Sequence, residues 1–182
     1  MAYTVRPQPV LFRLLLLEPA DQVLVRERIM DVIKQRLARV TVANGYSCDC
    51  GLDVHEGKLV TLTPAVPSMN FWDGDETAEK SHRMELNTVN VTVELYDRGA
   101  SDATSTSLAR TARRMVADVR KAILWNDDYS RLDPTLDGLA QGLKYTASDL
   151  VLGLHPNSWL GVIMAFDVQY YTVLGNQFRN KE

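Results

Sequence analysis

Between Val89 and Leu95 apolar and polar side chains alternate without a break: Val89, Val91, Val93 and Leu95 against Asn90, Thr92 and Glu94. A period of two marks a strand with one buried face. Read as Met84–Asp97, this strand spans about 46 Å at a rise of ~3.3 Å per residue. A second stretch, Leu160–Leu174, comes to roughly 50 Å by the same rise. Yet a compact domain of 182 residues is only about 40 Å across. Strands in single globules usually run about 5–6 residues. Two alternatives stay open. Either the strands bend at bulges, with Gly161 or the Asp167 region breaking the second, or they project and leave backbone groups for a partner.

Around these strands the chain offers two amphipathic helices. Pro19–Thr41 carries Val25, Ile29, Val32, Ile33, Leu37 and Val40 at steps of three and four, with Arg26, Arg28, Lys34, Gln35 and Arg39 on the other face. Asn44-Gly45 is expected to stop it, because both residues tolerate a left-handed backbone. Asp102–Trp125 carries Leu108, Ala112, Met115, Val119 and Ala122 along one stripe, capped by Ser101 or Asp102. Tyr46–Asp97 reads as strand-like, interrupted at Asp73–His82 by a polar, acidic stretch expected to be a mobile loop. Asn126–Asp137 is a polar connection. Two strands follow, Leu139–Leu152 and Trp159–Leu174, joined by a turn at His155-Pro156-Asn157-Ser158. The expected fold is α+β: two helices packed on one face of a mainly antiparallel sheet. Residues 1–18 form an N-terminal arm, 19–174 a single domain, and 175–182 a tail.

Lys and Arg number 20 against 23 Asp and Glu, a net charge of −3, which argues against a globally basic nucleic-acid binder. The most apolar stretch, Val10–Leu17, is interrupted by Arg13 and falls well short of the ~20 residues a spanning helix needs. Glu18-Pro19 follows it in place of a small-residue cleavage site. The chain is therefore expected to be made and used in a cytoplasm. Cys48 and Cys50, one residue apart on one face of an expected strand, suit neither a disulfide framework nor a four-ligand zinc site.

Signs of chemistry are few. Asp73, Asp75, Glu76 and Glu79 form the densest acidic cluster, but the spacing is not that of a calcium loop and no His or Lys base stands beside it. The serines of Ser101–Ser107 have no glycine elbow, and no glycine spacing makes a phosphate loop. No catalytic residue, cofactor or metal is expected. Arg110, Arg113, Arg114 and Arg120, with Lys121, give the second helix a basic side. That side is either a solvated face or a contact with an acidic partner or passing nucleic acid. Phe71-Trp72 are core anchors or an interface hot spot.

Read in order, several short motifs carry a resemblance. Asn44-Gly45-Tyr46, Asp49 and Gly51 follow the first helix. Then come Pro67-Ser68-Met69, Phe71 and Asp73-Gly74-Asp75-Glu76; the alternating strand ending at Asp97; Ala117-Asp118-Val119 and Ala122; Gly138-Leu139; Lys144-Tyr145; and Tyr170-Tyr171. From about Asp21 to Thr172 this arrangement resembles the tail terminator (minor tail, or tail completion) proteins of long-tailed bacteriophages. The resemblance implies an α+β virion protein, not an enzyme, assembled in the bacterial host's cytoplasm. It implies a homohexameric ring on the head-proximal end of the tail tube. The implied partners are the chain itself, the tube protein, a neck or head-completion protein, and DNA passing through the lumen without sequence-specific binding; no membrane is involved. Phe71, Trp72, Asp73, Asp75, Glu76, Arg110, Arg113 and Arg114 are the expected interface residues. The alternatives are another neck component (a stopper or head-completion protein) or, from another class, a small metal-dependent hydrolase using the acidic stretch 73–79.

Overall fold

The computed structural model describes residues 23–57, 67–98, 104–126, 131–153 and 159–179. The expected arm, Pro19, the caps Ser101 and Asp102 and the turn at 155–158 lie outside them. In chain order the elements are α1 (Val25–Leu37), β1 (Val54–Glu56), β2 (Ser68–Ser81), β3 (Met84–Arg98), α2 (Ser105–Leu124), β4 (Gly142–Gly153) and β5 (Trp159–Val173). The strands form one sheet in the order β1-β2-β3-β5-β4, antiparallel except where β1 runs parallel to β2. The fold is α+β, with α2 against β4 and β5, α1 against α2, and α1 beside β1.

The alternation in β3 does what its period requires. Val89, Val91, Val93 and Leu95 are buried, and across the ladder they meet Val168, Phe166, Met164 and Val162 of β5. Met69 and Phe71 of β2 continue the same layer, opposite Leu95 and Val93. The helices close it with Val25, Ile29, Ile33 and Leu37 from α1 and Leu108, Ala112, Met115 and Val119 from α2. Burial of one such aliphatic side chain contributes about 1.5–3 kcal/mol, so this layer is the main source of stability.

Several expectations are corrected. Neither Gly161 nor the Asp167 region breaks β5. It pairs with β3 continuously from Trp159 opposite Arg98 to Val173 opposite Met84. The irregularities lie in the flanking strands, between Asp73 and Glu76 of β2 and between Tyr145 and Ala147 of β4. The acidic stretch Asp73–His82 is not a mobile loop. Asp73 and Glu76–Ser81 pair with β3, with Gly74-Asp75 as the bulge and a tight turn at His82, whose φ is 55°. Backbone pairing with β3 outweighs the polar side chains, and charge is normal on a strand near a sheet edge.

The first helix starts at Val25, after a Leu24 whose ψ of 142° is not helical, rather than at Pro19, and it ends at Leu37 rather than running to Thr41. Gly51 explains the early stop: its N–H donates to the Val40 carbonyl at 2.8 Å, and a Cβ there would lie 2.7 Å from the Leu37 oxygen. The chain must turn away so that the two backbones can touch. Gly45 adopts φ 80°, but it closes the short 3₁₀ turn Val42–Asn44 instead of the helix. Gly51→Ala is expected to destabilise the fold by about 1–3 kcal/mol, because every near neighbour is backbone that cannot step aside. A lower urea midpoint at unchanged m-value is the check.

Cys48 and Cys50 are not on a strand either; Cys50 opens a 3₁₀ turn, Cys50–Leu52. Both are buried free thiols, and the Cys50 sulfur lies 3.8 Å from the Tyr96 carbonyl. The hydrogen bond with Cys48, and then burial, push the Cys50 thiol up. At the second helix Thr104 is the cap: its hydroxyl accepts from Ser107 N at 3.2 Å, and its own N–H donates to the Ser107 hydroxyl at 3.0 Å. Residues 175–179, set apart in the sequence as a tail, turn back on the fold. The Gln177 carbonyl accepts from Val25 N, and that of Arg179 from Val173 N, each at 3.1 Å.

Candidate functional site

Two charged regions stand at opposite ends of the sheet. The first is built on β2. Arg26, in the first turn of α1, reaches across to Asp73, donates to Glu76 Oε2 at 3.1 Å and to the Gly74 carbonyl at 3.2 Å, and so ties the bulge to the helix. The Tyr170 hydroxyl, from β5, donates to the other oxygen of Glu76. Burial tends to lower the Arg26 pKa, but the hydrogen bond and charge of Asp73, with Glu76, more than offset it and raise it above its ordinary value. Burial first, and then Glu76, push the Tyr170 hydroxyl up. These groups border a cleft of about 320 Å³ that also includes Leu24, Met30 and Glu56.

This geometry sorts the acidic cluster. Asp73 and Glu76 are engaged by Arg26, whereas Asp75 and Glu79 are exposed and make no ion pair among the described residues. Among the described residues no three of His, Cys, Asp and Glu are placed to hold a metal ion together. Chemically the arrangement is a clamp between α1 and an outer strand, with spare negative charge facing out. Phe71 and Trp72 fall on opposite faces, as consecutive strand residues must. Phe71 is fully buried in the helix-side core, and Trp72 is half-buried on the other face.

The second region is on α2. Arg110, Arg113 and Arg114 are exposed, and none makes an ion pair among the described residues. Arg120 lies over the Tyr145 ring of β4, 4.5 Å from its centroid, and Lys121 over the Tyr46 ring at 5.1 Å. Asp118, the one acid on the helix, accepts from Ser47 N at 2.7 Å.

The sheet face away from the helices carries a third feature. Trp159, Ile163 and Val151 are exposed there, with Trp159 lying across Gly161, where a Cβ would come 3.2 Å from its ring. Beyond Phe71, no strand among the described residues pairs with the outer side of β2, and none pairs with the outer side of β4. Sequence reasoning placed Asp73 and Glu76 together but missed Arg26 and Tyr170 as their partners, which are 50 and 94 positions from Glu76. No local signal could have linked them.

The chain matches no known family model and no curated protein. No helix among the described residues is long and apolar enough to cross a membrane.

Proposed function

We propose that this chain is a structural virion protein: a tail terminator that closes a ring on the head-proximal end of a phage tail tube. The observation that carries the reading is the sheet. Its two outer strands differ from one another, and each has an open side among the described residues. A head-to-tail ring needs two unlike, complementary patches on every subunit. Unpaired strand edges are where a further chain adds most readily. The resemblance in motif order supplies the tube as the place where such a ring would sit. Termination is then steric: the ring covers the face that the next layer of tube protein would occupy, and its far side meets a neck or head-completion protein. DNA would pass through the lumen without being read.

The test is removal of the chain from the particle that contains it. Tails of abnormal length, or tails that fail to join heads, are the expected result, and normal infectious particles count against the reading. Microscopy of the complete particle should place the density at the tube end; density higher in the neck would assign a stopper or head-completion role instead.

A further inference from the structure

The arginine stripe of α2 is the most concentrated unpaired charge among the described residues, and its position limits what can neutralise it. Arg113 and Arg120 are seven residues apart, about two turns, so they share one flank of the helix. Arg120 lies over Tyr145 of β4, so that flank overhangs the β4 edge. At the opposite edge β2 carries Asp73, Asp75, Glu76 and Glu79 against one engaged cation, Arg26, and one exposed lysine, Lys80, so acid remains in excess. One end of the sheet is thus positive and the other negative, and both ends have open backbone edges among the described residues.

We infer that the α2 stripe docks the acidic β2 edge of a second copy of this chain, so that Arg110 and Arg113 of each subunit face Asp75 and Glu79 of the next. The inference rests on the ring reading and adds to it the interface and the polarity of the ring. A duplex nucleic acid suits the stripe less well. The net charge of −3 repels a polyanion. Opposite charge at unlike ends also sets register, because juxtaposing two β2 edges or two α2 stripes would place like charges together.

Sedimentation velocity of the purified full chain, over a range of micromolar concentrations at low salt, tests this. The wild type should associate, and less so as salt shortens the Debye length from about 30 Å at 0.01 M to 8 Å at 0.15 M. Arg110→Glu with Arg113→Glu should weaken association at least ~10-fold, and Asp75→Arg with Glu79→Arg should do the same. An equimolar mixture of the two variants should restore it, because every junction then joins opposite charges. Restoration also shows that each variant is folded. Three outcomes overturn the inference: a wild type that stays monomeric at low salt, variants that associate like the wild type, or a mixture no better than its parts. A fourth overturns it in favour of a phosphate surface: duplex DNA bound by the wild type and lost with the two arginines. In each of these cases the ring reading is judged separately, by the fate of tails lacking the chain.

Discussion

Arg36→Ala is expected to cost about 3–5 kcal/mol, because it strips the counter-ion from a buried carboxylate. Arg36 is 1% exposed. Its guanidinium donates to the Ile123 carbonyl at 2.7 Å, the Asp133 carbonyl at 2.9 Å, Asp133 Oδ2 at 2.5 Å and Asp137 Oδ1 at 3.1 Å. One side chain of α1 thereby fastens the end of α2 and the connection after it. A double change, Arg36→Met with Asp133→Leu, should recover only part of the loss. Asp133 also accepts from the amides of Thr135 and Asp137, at 3.2 and 3.0 Å, and those donors would be left without it. Urea denaturation of the three proteins checks both statements, and a loss below about 1 kcal/mol for Arg36→Ala would contradict them.

The same network sets an acid limit. Burial pushes the Asp133 carboxyl up, but hydrogen bonds from Thr135 and the Asp137 amide, together with Arg36, more than offset it and hold it well below the usual carboxylate range. A depressed folded-state pKa adds stability above the ordinary value of 3.8, and that stability is lost as pH falls from there toward the folded value. The wild-type urea midpoint should therefore drop steeply below about pH 4, and Asp133→Asn should flatten that part of the curve.

Arg36 also shows where sequence reading stops. The helix stripe Val25, Ile29, Ile33, Leu37 is legible because its spacing repeats, and Arg36 falls on the same side, three positions after Ile33. That position was the available signal, but only the distant Asp133 makes a charge there tolerable. β3 is legible for the same reason as the stripe: one period of two covers Val89 to Leu95. The outer half of β2 was not, because Asp73–Lys80 looks solvated by composition, and the backbone ladder to β3 leaves no mark in hydropathy. The acidic cluster could be found by counting; the cation that engages half of it could not. Fifteen-residue strands were visible as lengths, whereas the register shifts that accommodate them fall in β2 and β4, the strands on either side.

Phe71→Ala should cost about 3–5 kcal/mol, and Trp72→Ala, one residue on, only about 1 kcal/mol. The difference follows from the two faces of β2. Phe71 is 0% exposed and stands opposite Val93, which in turn pairs with Met164, so truncation opens a cavity in the middle of the layer that the helices cover. Its cross-strand neighbours are locked in a five-stranded ladder, and they can collapse only slightly into the space. Trp72 stands half-buried opposite Thr92 on the face that no helix among the described residues covers, so its loss removes contact area rather than opening a void in the core. Denaturation midpoints at matched m-values give the comparison directly. Losses of equal size would mean that the open face is packed as tightly as the helix face. If Trp72→Ala instead spares stability but weakens association of the intact chain, this face joins the strand edges as part of what one subunit offers the next, because a large aromatic that adds little within a monomer can still anchor an interface.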